Sequence, residues 1–556
     1  MAETDPGSVE KMGGGVFLRK ATGLVREVGL ADAFIMNTIG MNVAIGAVFL
    51  FLQAPANFPH GSMLLAVVIG TVLMAFTLLW VYSEFAAAMP RSGGDYVYTS
   101  RALHPFLGWL LSWSQGAWLI FFWVGFNAWF ALIFAVPVAL TTIAGVTGHA
   151  VWANMSTDLL KQSALFGLHT QWLVIGFGTL INVGFGALLI FGGQGYWRWQ
   201  KFAFFFAGGS ILLGIVFLLF KGGDLSANWD SFVKASGGLR FDQIIPTARS
   251  AGFSGTAGFS LKETILMLPW VFFVVGYAQG SAQIGGEVKR AARTQYIAMV
   301  GGVLVNGAVL ALLVVLFQKA VGTNWIGSLG YLSNTAPDKL GLAGGILPGF
   351  NFIISLFSHN VLVLLFIGIG FVMWAVNGTP LSELQATRYM LAWSLDRTVP
   401  AAIGEVSDKY HTPVKAIIFA TITGELALIL LTVNASASLL GALLAQILAF
   451  IVVSVAGIVF PYRMKDVWES AGGRRIMGIP AVTLAGIGGV LVLGGMMIMF
   501  IVNPTINATF AVTRRLSLVF MIGVVVVGAV WYAVAYSINK SKGVDLGLVY
   551  REIPPE

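Results

Sequence analysis

Two short segments set glycines beside a side-chain amide in the middle of long apolar runs: Gly40-Met41-Asn42-Val43-Ala44-Ile45-Gly46 and Gly276-Tyr277-Ala278-Gln279-Gly280-Ser281. A helix that unwinds at such a point exposes N–H groups where one half begins and carbonyls where the other half ends. The first set suits an anionic group and the second a cation. A zwitterion can thus be held almost wholly by backbone, with no ionised side chain buried for the purpose. The residues placed to do this are Ile39, Gly40, Met41, Asn42, Val43 and Ala44 in one run and Val275, Gly276, Tyr277 and Gln279 in the other. Either segment alone also reads as a close-packing point, because glycine lets apolar helices approach. The amides weigh toward binding, being costly in hydrocarbon unless they face protein or water.

Other polar residues fall inside apolar runs. Gln115, Trp118 and Asn377 are candidates to line the same site, with packing among interfacial aromatics the favoured reading for Trp118. Glu425 lies midway along an apolar run, so its carboxyl must be paired, protonated or turned to water, and it is a candidate proton carrier. The hydroxyls of Ser210, Thr379 and Ser382 are candidates for sodium, since hard cations prefer oxygen. Bonding back to their own helix is the ordinary alternative. Asp32, Glu84 and Glu383 are expected near the ends of their runs, in contact with solvent.

Catalytic and cofactor chemistry finds little support. The chain has no cysteine and six histidines, of which only His359 falls in an apolar run, so no thiolate site or haem ligand pair is available. No Ser–His pair, aspartate dyad or His/Glu metal set falls within these runs, and no enzyme activity, metal or cofactor is expected.

The elements that must position the candidates are transmembrane. Hydrophobic residues make up 57% of the chain and charged ones 10%, against about 25% charged in soluble proteins. Apolar runs long enough for a bilayer core about 30 Å thick are expected near residues 30–52, 63–88, 105–138, 171–192, 201–221, 264–285, 295–318, 351–380, 413–433, 437–460, 478–502 and 516–538. An even count of twelve puts both termini on one side. The loops on that side carry 22 of the 32 lysines and arginines, which makes it cytoplasmic. The net charge of +8 therefore reflects membrane orientation, and no nucleic-acid partner is expected. The loop 222–262, rich in glycine, reads as a flexible connector or as an outer lid.

Three stretches, in order, resemble one family. Met89-Pro90-Arg91-Ser92-Gly93-Gly94-Asp95-Tyr96, continuing to Pro105-Phe106-Leu107-Gly108-Trp109, is similar to the loop between the second and third helices of the amino acid–polyamine–organocation (APC) permeases. Phe272 to Tyr277, leading to Gly286-Glu287-Val288-Lys289, resembles that family's sixth helix. Asn377-Gly378-Thr379, Arg388 to Ala392, Asp396 to Pro400 and Thr412-Pro413 resemble its eighth helix and the entry to the ninth.

The resemblance implies an all-α integral membrane protein with a LeuT-type 5+5 inverted repeat, broken helices 1 and 6, and two extra C-terminal helices. Paired glycine interruptions at matching positions of the two halves are the sequence mark of the binding site in such folds. The organisation that follows is a cytoplasmic tail (1–28), a first repeat (29–222), an outer loop (223–262), a second repeat (263–461), helices 11 and 12 (462–540) and a cytoplasmic tail (541–556). The implied activity is secondary active transport, as symporter or exchanger, of amino acids or related small amines at the cell membrane, with H+ or Na+ as coupling ion. A sensor or complex subunit that kept the fold without transport is the alternative. Glu287 and Lys289 are expected to pair with Arg91 or Arg101. Met41 and Asn42 depart from the family's run of small residues at the first break and leave substrate identity open.

Overall fold

In hydrocarbon a backbone must close its hydrogen bonds internally, and this chain is accordingly almost all helix. The computed structural model describes residues 24–553 apart from 25, 42, 162–163, 166–167, 192–193, 237, 343–345, 435–441 and 511–514. In chain order, the helices used below are α1 (Leu30–Met41), α2 (Val43–Asn57), α3 (Met63–Ala88), α4 (Asp95–Ala102), α5 (Pro105–Gly145), α6 (Thr170–Phe191), α7 (Gly195–Lys221) and α8 (Leu225–Ser236). They continue with α9 (Leu268–Val275), α10 (Gly280–Gln283), α11 (Ala291–Val321), α12 (Val361–Leu395), α13 (Val414–Val433), α14 (Ala442–Arg463), α15 (Ala481–Val502) and α16 (Arg515–Ser541).

Among the described residues, eleven helices are long and apolar enough to cross a membrane, counting Leu30–Asn57 as one. Their outward faces carry large exposed apolar side chains such as Leu180, Phe205, Leu212, Phe220 and Leu491, which suit lipid rather than water. The protein is a multi-pass membrane protein. The run expected as a sixth span is not among the eleven because it is interrupted. Helix α9 ends at Val275, the chain turns through Gly276–Gln279, and the short α10 follows. The other expected break, at residues 40–46, is not seen among the described residues: Gly40 and Met41 end α1 and residues 43–46 begin α2, all helical, and only Asn42 lies outside the described residues.

Local chemistry explains several boundaries. Pro105 opens α5 behind His104, whose ring accepts from Phe106 N. Wider π turns at Leu119–Val124 and Ala131–Ala135 interrupt its regular ladder. The expected run 351–380 is corrected. Phe350–Ser355 is a separate short helix, exposed His359 sits in a connector, and α12 starts at Val361 behind the Asn360 cap. Helix α12 then continues through Gly378 to Leu395, because its polar second half is buried by neighbours rather than released to solvent. The loop 222–262 is also more ordered than its glycines suggest. It forms α8 and Ile244–Ser250, and Trp229, fully buried, packs edge-on to Trp325 at 5.2 Å.

Both ends of the described chain lie on one face of the bundle. Val28 pairs with residues 287–289, donating to Glu287 O at 3.0 Å and accepting from Lys289 N at 2.9 Å. Ser92 bridges Ile284, and Arg101 donates to Glu552 O at 3.2 Å. The 89–104 loop is wedged into this face at two glycines with left-handed φ, Gly93 at 91° and Gly94 at 42°. A Cβ on Gly93 would lie 2.5 Å from Ala392 Cβ.

The ion pairs of this face differ from the sequence expectation. Glu287 pairs with Arg388 of α12 (2.6 and 3.0 Å) rather than with Arg91 or Arg101, and Arg101 pairs with Asp396 (2.6 and 2.8 Å). Lys289 is exposed. The long guanidinium of α12 points back into the bundle, so it reaches Glu287 first. Arg388→Leu leaves a buried carboxylate alone and should destabilise the fold by about 3–5 kcal/mol. Adding Glu287→Leu should recover part of that loss, read as thermal unfolding in detergent.

Candidate functional site

The turn Gly276–Gln279 lies against α1. A Cβ on Gly40 would sit 3.0 Å from Tyr277 O, and one on Gly46 only 2.6 Å from a Val274 methyl. These small residues let the two segments meet, and a cavity of about 170 Å³ opens beside them. Ile39, Gly40, Met41 and Gly46 line one wall; Phe273, Tyr277, Gln279 and Gln283 line another. Helix α5 contributes Gln115, Trp118, Trp123, Phe126 and Asn127, α12 contributes Gly378, Leu381, Ser382 and Gln385, and α14 contributes Gln446.

The lining is aromatic and amide-rich, with five glutamines and no ionised side chain. Among the described residues, four of its buried polar atoms have no hydrogen-bond partner: Gln115 Nε2, Trp118 Nε1, Tyr277 OH and Gln279 Oε1. Buried polar atoms are nearly always satisfied, so this group is poised for a solute or water. Aromatic faces of Trp123, Phe126 and Tyr277 cluster on one side, with Trp123 and Tyr277 centroids 6.2 Å apart. Such faces attract a cation without a counter-ion.

Beneath the cavity the two segments are sealed by amides. Asn37 Nδ2 donates to Ser281 Oγ (2.9 Å) while Ser281 N donates to Asn37 Oδ1 (2.8 Å). Ser281 Oγ donates in turn to Gln295 Oε1 at 2.7 Å. Below this lies a buried acid, Asp95, at the start of α4. The Tyr82 hydroxyl is 2.9 Å from its Oδ2 and the Tyr389 hydroxyl 2.5 Å from its Oδ1. Burial raises the Asp95 carboxyl above its ordinary value, and the hydrogens that Tyr389 and Tyr82 can offer to its charged form oppose that rise.

Of the sequence candidates, Ile39, Gly40, Met41, Gln115, Tyr277, Gln279 and Ser382 are brought to the cavity. Val43, Ala44, Val275, Gly276 and Asn377 are buried around it without lining it, and Asn42 is outside the described residues. Trp118, a candidate both for lining and for packing, does both: it lines the cavity and lies tilted against Phe520 at 5.2 Å.

The candidate ion ligands are scattered. Ser210 Oγ donates to Ala207 O of its own helix (2.8 Å), and Thr379 Oγ1 donates to Val124 O (3.3 Å). Glu425 faces α6, accepting from Thr179 Oγ1 and, at 3.2 Å, from Asn182 Nδ2. Glu383, expected near a solvent interface, is fully buried and accepts from Thr421 Oγ1. Residues missed were Trp123, Phe126, Asn127, Gln283, Gln385 and Gln446. A search for every glutamine inside an apolar run would have found two of them, Gln283 and Gln446, since Gln385 falls beyond the expected run 351–380; the aromatics carried no signal, because aromatics abound in all spans.

Comparison with known proteins decides the family. The amino acid permease family model matches residues 29–527. The chain belongs to the amino acid permease family. This permease is also 34% identical over 145 residues to an uncharacterised transporter of Mycobacterium bovis and to uncharacterised transporters of two Mycobacterium tuberculosis strains. The match covers 24% of this chain and 32% of each relative, so it spans about a third of their length.

The unpartnered Gln279 acceptor has a measurable consequence. Gln279→Leu should weaken binding of a cavity ligand about 10- to 100-fold, the worth of about 1–3 kcal/mol for a buried hydrogen bond. The unliganded variant should melt no earlier than wild type, since an unsatisfied polar group has been removed. Thermal shift with and without ligand reads both.

Proposed function

We propose that this permease is a secondary active transporter, a symporter or exchanger, that moves amino acids or related small amines by alternating access. The observation that carries the reading is a cavity beside an interrupted helix whose polar lining is all neutral amide, hydroxyl and indole. A solute there meets its charges with backbone. The N–H groups starting a half-helix suit a carboxylate, and the carbonyls ending the other suit an ammonium. The ring faces of Trp123, Phe126 and Tyr277 add to the hold on an amine.

With Phe49, Phe126, Phe130 and Phe273 around it, the remaining volume favours an apolar or aromatic side chain. A solute with an extra ionised side chain would bury that charge without a partner and be rejected.

The architecture we assign is the LeuT-type 5+5 inverted repeat. Residues 29–222 and 263–461 form the repeats, residues 264–285 are the broken sixth of twelve spans, and two helices are added after residue 461. The loop 223–262 would cover the outer mouth. The distribution of lysine and arginine supports cytoplasmic termini and a place in the cell membrane.

Purified protein in liposomes should show saturable uptake or counterflow of a neutral amino acid or monoamine. Gly46→Leu, which would drive a side chain into Val274, should abolish it. Ligand binding without counterflow would instead identify a sensor or complex subunit.

A further inference from the structure

The hydrogen-bond arithmetic around Asp95 leaves one consistent solution. Asp95 is 5% exposed, and Tyr82 and Tyr389 are fully buried. Among the described residues, its side chain bonds these two phenols and no cation, and the backbone N–H groups of Tyr96 and Asp95 also face the carboxyl. The phenol of Tyr389 also meets Gln283, whose amide nitrogen, in one orientation, donates to it at 3.3 Å.

That orientation points the Gln283 oxygen at the carbonyl oxygens of Gln279 and Gly280, acceptor against acceptor. Turned over, the amide nitrogen donates to both carbonyls at 2.9 Å, and Oε1 faces Tyr389. Tyr389 must then donate to Gln283. A phenol has one proton, so the 2.5 Å contact with Asp95 Oδ1 has to be donated by Asp95. Oδ2 still accepts from Tyr82, and the polar atoms of Asp95, Tyr389 and the Gln283 amide all find partners.

We infer that Asp95 is a proton-binding site, occupied in this conformation, and that Tyr389 and Gln283 tie its proton to the interrupted segment beside the cavity. Loss of the proton leaves a carboxylate that takes the Tyr389 hydrogen for itself. Gln283 then has no donor for its oxygen, its amide turns, and the Gln279 and Gly280 carbonyls lose their partner. These carbonyls belong to the hinge between α9 and α10, so deprotonation loosens α10 from the loop below. That contact is close: a Cβ on Gly94 would lie 3.0 Å from Ala282 and Gln283 backbone. The released proton passes to water admitted as Gly94 and Gln283 part.

Among the described residues, the surroundings add no competing charge. Helix α3 presents Tyr82 and α12 presents Tyr389 to the acid, and Tyr98 of α4 lies beside these two phenols. Glu84 lies with Trp80, Tyr296 and Arg474. Arg388 is committed to Glu287, Arg101 to Asp396, and Arg463 of α14 to the carbonyls of Ala102 and Leu103. The Pro105–Trp118 part of α5 and α10 carry no ionisable residue. Because the acid titrates above its ordinary value here, the sealed conformation gains stability from the proton at low pH and loses it as pH rises through that raised value.

The test uses the full chain in lipid nanodiscs. At neutral pH the infrared difference between wild type and Asp95→Asn should contain the carbonyl band of a protonated carboxyl. Its absence would overturn the proposal. Should Asp95→Asn fail to fold, Tyr389→Phe removes the acceptor of the Asp95 proton and should move that band to higher frequency; an unmoved band overturns it as well. In liposomes, the ratio of proton-gradient-driven to gradient-free uptake should exceed one in wild type and fall to one in Asp95→Asn. An unchanged ratio would refute the coupling. The coupling rests on the proposed transport activity, but the proton site does not. A wild type that shows the band yet carries no solute would sink transport and leave Asp95 protonated.

Discussion

Between Val275 and Gly280 a backbone surrounded by apolar helices gives up its regular hydrogen bonds, and the rest of the structure is arranged to tolerate this. Each unsatisfied amide in such surroundings costs several kcal/mol. Compensation comes from three directions. Gly276 N still reaches Phe272 O at 2.8 Å, Gln283 takes the Gln279 and Gly280 carbonyls, and Asn37 takes both the backbone and the hydroxyl of Ser281. What is left unpaired is concentrated in side chains around the cavity, where a solute can satisfy it.

The same constraint explains why the loop-side face is so heavily cross-linked. A half-helix of four residues cannot hold itself in place. It is clamped from below by the 89–104 loop, whose Gly93 N donates to Gln283 O at 2.8 Å, and that loop is held by the Arg101–Asp396 pair and by Tyr96. Ion pairs buried this deeply add little net stability but strongly penalise any geometry that separates them. They act as a latch with defined closed positions, which under the proposed alternating access would suit a face that parts and closes again.

Much of the architecture was legible because hydrocarbon imposes simple rules. Runs 63–88, 171–192, 413–433 and 478–502 match helices α3, α6, α13 and α15 to within a few residues, since length and apolarity alone decide a span. The interruption at Gly276–Gln279 was visible because glycine and an amide are out of place there. The polar half of α12 was misjudged for the opposite reason. Arg388, Thr387 and Glu383 look like residues seeking water, and only knowledge of Glu287 and Thr421 reveals that protein satisfies them.

By itself the sequence determined that the chain is a membrane-embedded helical bundle, where its helices run, and which two glycine-amide segments stand out. Those properties are local, set by transfer free energy and backbone chemistry within a window of some twenty residues. Tertiary structure alone decided that Gln115, Gln279, Gln283, Gln385 and Gln446 share one cavity, that Glu425 turns away from it, and that Asp95 meets two phenols instead of an arginine. Contacts between residues hundreds of positions apart depend on how helices rotate and cross. That rotation is fixed by packing over the whole bundle and leaves no trace in any short stretch of chain.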